Sequence, residues 1–407
     1  MSSKEESDTK YNLNNLSAEE QLIQSAVNFH IQGEFLEASR FYELIINKGI
    51  KHPTVFSNYG AIAQQSGDLN KAKNLYMESI KYFPKYPQAY SNIAVIKMNL
   101  GELEEAEMYC RQAINLDSKF ANAYFNLGNI LKLKGNLEEA KSFTLKAIEY
   151  NPQYEEAYIN LGEILKNQFA YKSAEKYIRK ALEINPNSYN ALMNLGLLLF
   201  NLGKFKDAEK YFQKSIEINP NNAKAFSNLG NVYYKIGQLN EAEKKVRKAI
   251  KLDPKLANSY SNLSVILLDL GKVKEAEIYA RKALEINPKA SNACLNLGNI
   301  LTQLLQSKEA EKYTKKAIEI EPNYADAHFN LGNLLQSNLE YDEAISCYKK
   351  AIELYEEGSQ KSYKAIGELG RTLTYKGNYK EGLKKIKEGF GSILFDHKQS
   401  KMHIYSS

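Results

Sequence analysis

AYFNLGNILKLKGNLEEAKSFTLKAIEYNPQYEEAYINL runs from Ala123 to Leu161, and its end repeats its beginning: Ala123, Tyr124, Asn126 and Leu127 return as Ala157, Tyr158, Asn160 and Leu161. The asparagine keeps the same interval of 34 along the chain, at Asn58, Asn92, Asn126, Asn160, Asn194, Asn228, Asn262, Asn296 and Asn330. A fixed period of this length marks a solenoid, whose units bury their apolar faces against their neighbours. Its 407 residues therefore read as one array and not as several globular domains.

Each unit begins with residues at i, i+3, i+4 and i+7 that share one helical stripe, such as Tyr124, Leu127, Gly128 and Leu131, or Phe226, Leu229, Gly230 and Tyr233. A glycine, as at Gly101, Gly135, Gly203, Gly237 and Gly271, then ends the helix in the left-handed conformation. A second helix carries a small residue at its contact point in all ten regular copies, from Ala38 and Ala72 to Ala310 and Ala344. There a larger side chain would overpack the joint by about 1–3 kcal/mol. Proline at Pro84, Pro152, Pro186, Pro220, Pro254, Pro288 or Pro322 stops that helix. The pattern predicts a disordered polar lead at 1–18 and ten units over 19–358, at 19–52, 53–86 and so on. After the insert Glu356–Lys361 it predicts a degenerate basic capping repeat over 359–396 and a loose tail at 397–407.

Composition excludes several classes. Cys110, Cys294 and Cys347 are isolated, so neither a disulfide framework nor a zinc site is indicated, and a reducing compartment fits. His30, His52, His328, His397 and His403 never stand at a catalytic or metal-ligand spacing, and no cofactor motif is present. With no secretory pattern at the start and no run of about 18 apolar residues, the expected location is the cytoplasm, without membrane insertion. Of 54 Lys+Arg and 48 Asp+Glu, 10 and 4 fall after residue 358, leaving 44 against 44 in the rest. A neutral array with a basic end lacks the basic stripe of a nucleic-acid binder. The basic end itself (Arg371, Lys376, Lys380, Lys384, Lys385, Lys387) reads as a soluble cap or as a dock for an acidic partner.

The aromatic, Leu-Gly, Ala and Pro positions resemble the tetratricopeptide repeat family over about nine tenths of the chain. The resemblance implies an all-α, right-handed superhelical solenoid of about 11 tandem 34-residue helix-turn-helix units. Local departures are Cys110, Thr144, Val246, Ala280 and Thr314 at a later aromatic position, and Phe169, Leu305 and Leu339 at the glycine turn. Looser packing or tighter turns are expected there. On the second helices, Glu107 with Arg111, Glu175 with Arg179, Glu243 with Arg247, Glu277 with Arg281 and Glu311 with Lys315 are i, i+4 pairs of a solvated outer face.

Counted within a unit, the asparagine is sixth, while the core residues are fourth, seventh, eighth and eleventh. At about 100° per residue the asparagine lies roughly opposite the core. In the family this side lines a concave groove, which is what assigns the column to one. Asparagine costs about 0.6 kcal/mol against alanine in a helix interior, so nine copies cost about 5 kcal/mol unless something offsets them. Either each amide bonds a neighbouring helix and orders the stack, or the row serves a ligand, since an amide both donates to and accepts from a peptide backbone. Asn129, Asn231, Asn299 and Asn333, three residues on, widen the same floor. Here the chain resembles the repeat region of O-linked N-acetylglucosamine transferases, in which an asparagine ladder holds protein substrates. The 49 residues from Ser359 to Ser407 leave no room for their catalytic region. The leading expectation is a non-enzymatic scaffold that binds proteins or extended peptides. The alternative is a targeting subunit of a glycosyltransferase whose catalytic chain is separate. A clamp for a partner's C-terminal carboxylate is excluded, because among the second positions from Thr54 to Asp326 only Lys224 is basic.

Overall fold

A computed structural model describes residues 17–396 and 401–405, with side chains for 17–391. Among these residues are 22 helices, in 11 successive pairs. In the fourth unit the first helix is Ala121–Leu133, the second Leu137–Tyr150, and three residues join them. The first helix of the array, Ala18–Ile31, starts from a capping box in which Ser17 Oγ accepts from Glu20 N at 3.2 Å. The rest of the predicted lead, residues 1–16, lies outside the described residues.

The joint within a pair is set by two glycines. Gly128 lies so close to the second helix that a Cβ there would stand 2.4 Å from Thr144 Oγ1. The loss of the aromatic at Thr144 therefore leaves no void: the threonine is fully buried and donates to Ala140 O at 2.7 Å. Gly135 takes φ +83°, and Asn136 N donates back to Leu131 O at 2.9 Å. Phe169, Leu305 and Leu339 overturn the expectation of altered turns. They adopt φ of 59°, 60° and 67°, and the following amides make the same bonds, Gln306 N to Leu301 O among them at 2.9 Å. The geometry is retained and the misfit appears as strain, since a left-handed residue with a Cβ costs about 1–2 kcal/mol.

The chain divides into two bodies, Met1–Leu198 and Leu199–Ser407. In each, core clusters draw on adjacent units. In the first, Ala94, Ala106 and Cys110 pack with Leu127, Ile130, Leu131 and Ala140 of the next unit, and Ile164 of the one after. In the second, Val246, Tyr260, Leu263 and Ala276 continue through Leu297 and Ala310 to Leu334. Fully burying each Leu or Ile contributes about 1.5–3 kcal/mol, so a unit is held chiefly by its neighbours. Tyr90 and Tyr124 send their hydroxyls to the carbonyls of Pro84 and Ser118, and the His328 ring meets Pro322 O at 2.9 Å in the same manner. The ring is half-buried at the repeat's aromatic position.

The outer ion pairs form as expected and also reach across units. Arg247 binds Glu243 at 2.8 Å within its helix and Glu275 of the next unit at 2.6 Å; Arg281 joins Glu277 and Glu309 in the same way. At the C-terminus the chain departs from helical periodicity. Ser392–Asp396 and Lys401–Tyr405 pair as antiparallel strands with Ser392 opposite Tyr405. The predicted loose tail is thus strand at 401–405, while 397–400 and 406–407 lie outside the described residues.

Candidate functional site

The asparagines lie on the first helices, and the fold gives them unequal surroundings. In the first body Asn58, Asn92, Asn126, Asn129 and Asn194 are half-buried, and Asn160 is 4% exposed. Asn58 Nδ2 donates to Tyr42 OH at 3.1 Å, and Asn92 Oδ1 accepts from Gln88 at 2.7 Å. Asn126 Nδ2 donates to Ser91 Oγ of the preceding unit at 3.0 Å. Among the described residues Asn194 Nδ2 donates only within its own helix, to Asn190 O. Asn160 is closed at both ends: Nδ2 reaches Thr144 Oγ1 at 3.4 Å, and Lys132 Nζ donates to Oδ1 at 2.6 Å while also binding Glu163 at 2.7 Å.

In the second body Asn228, Asn231, Asn262, Asn296, Asn299, Asn330 and Asn333 are all half-buried. Asn262 and Asn296 donate to Ser227 and Ser261 of the preceding units at 3.3 and 3.0 Å. Asn330 Nδ2 donates to Asn299 Oδ1 at 2.7 Å, and Asn333 Oδ1 accepts from Tyr348 OH at 2.8 Å.

The serine partners are what the sequence reading missed. Ser91, Ser227 and Ser261 are buried at the fifth position, 35 residues before the amide they receive. Their signal was present: the dipeptide Ser-Asn recurs at 57–58, 91–92, 227–228 and 261–262. Where the fifth residue is apolar, as at Phe125, Ile159 and Leu295, the next asparagine finds another partner or a local one. The row thus orders the stack at some steps. At others it keeps an amide end unused: among the described residues, Asn129 and Asn231 bond to no other group.

Elsewhere the chain offers little chemistry. Burial pushes the Cys110 thiol up to about 12, and burial also raises the thiols of Cys294 and Cys347, which suits inert packing. Among the described residues no group of His, Cys, Asp and Glu gathers to hold a metal, and no helix is long and apolar enough to cross a membrane. Much of the basic end is paired: Arg371 with Glu368, Lys376 with Asp342 and Lys385 with Glu388.

A family model of the cilia and flagella-associated protein 70 C-terminal domain matches residues 119–330, more than half of the chain. Tetratricopeptide repeat models match 54–86, 87–120 and 325–357. No curated protein matches in sequence. Among solved structures, a similar one is YrrB, titled a TPR protein with an unusual peptide-binding site, at 28% identity and TM-score 0.37 over 48% of this chain and 97% of that one. Yeast Tom70 is similar at 17% identity and TM-score 0.48, over 91% of each chain. The human IFIT1 dimer with m7Gppp-AAAA gives 18% identity and TM-score 0.54, over 83% of this chain and 89% of that one, a likeness of fold alone. The matches run without a break from the second unit to the tenth: the chain belongs to the tetratricopeptide repeat proteins, and over residues 119–330 to the family of that C-terminal domain.

Proposed function

We propose that the chain is a non-catalytic scaffold that binds partner proteins by holding extended segments along its asparagine rows. The repeat architecture supports an interaction role. The reading of the rows is carried by one observation: in the second body Asn231, Asn299 and Asn333 stand half-buried, each with an amide nitrogen that, among the described residues, no protein group uses. Such groups cost helix propensity at each copy, and a ligand's backbone offers the missing partners. The wall has few charges to select side chains, because Ser291–Gln303 carries none and Ala325–Ser337 carries only Asp326, already bound by Lys361 and Tyr355.

An array of 12-residue peptides tests this, probed with the full chain and with a variant in which Asn231, Asn299 and Asn333 are alanine. Loss of the bound set at unchanged helical circular dichroism supports the groove; an unchanged set removes it. Transfer of a sugar to bound peptides only after a separate glycosyltransferase chain is added would make the protein a targeting subunit.

A further inference from the structure

The charge of the array balances in total but is not evenly placed. In the second body four successive second helices are Phe205–Ile218, Leu239–Leu252, Val273–Ile286 and Ser307–Ile320. The second, sixth and tenth residues of each are lysine at all places but Asn240 and Ile278, from Lys206, Lys210 and Lys214 in the first to Lys308, Lys312 and Lys316 in the last. At the same places in the second helices of the first four units, only Arg40 and Lys146 are basic. Residues four apart share a crest, about 6 Å from one to the next. These lysines are exposed, except for the half-buried Lys316, and among the described residues only Lys244 of the set joins an ion pair, with Glu241 at 3.9 Å. Carboxylates on the same helices are drawn sideways: Arg247 holds Glu243 and Glu275, Arg281 holds Glu277 and Glu309, and Lys315 holds Glu311. Asp207 stays beside Lys206, and Glu217, Glu285 and Glu319 lie three residues beyond the tenth-place lysines, toward the far ends of the helices.

Two apolar residues stand among the lysines. Ile278 takes the crest place between Lys274 and Lys282 and is 64% exposed, and Leu305, three residues before Lys308, is 88% exposed. Leu305 holds φ 60° at a turn where the three preceding units use Gly203, Gly237 and Gly271, so it costs both backbone strain and exposed apolar surface. The crest offers no free group to fork onto phosphates or stack on bases. Arg247 and Arg281 are bound to glutamates and lie over the half-buried rings of Tyr279 and Tyr313, and a lysine head is a point charge. Point cations with apolar residues between them match anionic headgroups above an acyl layer. We infer that this crest docks the second body peripherally on an anionic lipid surface. The lysines lie against the headgroup charge, and Leu305 and Ile278 enter the boundary beneath it. The surface belongs to the second helices and is separate from the asparagine row on the first.

The test sediments the full chain with phosphatidylcholine vesicles, with and without about 30% phosphatidylserine. Binding requires the anionic lipid and weakens as salt is raised. Lys274→Gln, Lys282→Gln, Lys308→Gln and Lys312→Gln together reduce affinity about a hundredfold or more, at about fivefold per lysine. Leu305→Gly separates docking from packing, because it relieves the turn: it raises the unfolding midpoint yet weakens vesicle binding about fivefold. Leu339→Gly is the control, since it relieves the same strain beside Glu340 and Asp342 and leaves vesicle binding unchanged. Helical circular dichroism is compared for every variant. Equal binding to neutral vesicles, or full binding by the fourfold lysine variant, overturns the cationic face. Binding unchanged by Leu305→Gly overturns the apolar anchor. Failure to bind anionic vesicles overturns the inference outright, and capture of a short RNA duplex or a polyglutamate peptide in their place assigns the lysines to another polyanion.

Discussion

Asn160 in the first body and Asn330 in the second occupy the same place in the repeat. Asn160 is buried and held at both ends by Thr144 and Lys132, whose charge is balanced by Glu163. Asn330 spends its nitrogen on Asn299, and among the described residues its side-chain carbonyl has no partner. The difference comes from the neighbours. Glu163 and Lys132 make the fifth unit's wall ionic and closed, whereas Asn299 and Asn333 leave the ninth and tenth neutral and half open. A repeated residue is thus a repeated position, and its role is set by the residues three places on and one unit back.

The largest test of this contrast is Asn160→Ala against Asn330→Ala. The first leaves the half-buried Lys132 ammonium and the buried Thr144 without their amide and should cost about 2 kcal/mol in urea unfolding; the second should cost under about 1 kcal/mol. Equal costs would erase the distinction. Next comes a double-mutant cycle: Ser261→Ala with Asn296→Ala should show about 1 kcal/mol of coupling, and Leu295→Ala with Asn330→Ala close to none. Asn194→Ala should go the other way, stabilising by about 0.5 kcal/mol, because its amide bonds only its own helix and alanine is the better helix former.

Acid provides the smallest effect and a control that should treat the bodies alike. Lys134, then Arg111, hold the Glu107 carboxyl below its ordinary range against the effect of burial, and Arg281 does the same chiefly for Glu309. Both folded-state values lie below the unfolded one. The stabilisation is therefore complete above the ordinary carboxyl value of 4.5 and is lost as pH falls through the lower folded value. Glu107→Gln should remove about 0.5 kcal/mol at pH 7 and flatten the acid limb of a stability-against-pH curve. A steeper acid limb in that variant would contradict the assignment.

Much of the fold was legible because its determinants are local and repeated. The stripe Tyr124, Leu127, Gly128, Leu131 specifies a helix, Gly135 a turn, Ala140 a close joint and Pro152 an end, and each recurs in phase. Phe169, Leu305 and Leu339 were misread because the hydrogen bonds of the turn, made by neighbouring backbone, outweigh the strain of one residue. The paired strands Ser392–Asp396 and Lys401–Tyr405 lie where the period has stopped, so the repeat carried no information about them.

For the site, the sequence by itself determined that the asparagine recurs every 34 residues, and a turn of about 100° per residue sets it about opposite the core stripe of its own helix. It could not determine which end of each amide is free. That depends on Ser91, Ser261 and Tyr348, which lie 15 to 35 residues away along the chain and meet the row only when units stack. A hydrogen bond forms within about 3 Å, and helical periodicity fixes a direction, not a distance to the next helix. Only the packed structure decides which asparagines are held by a neighbouring unit and which are bonded at one end alone.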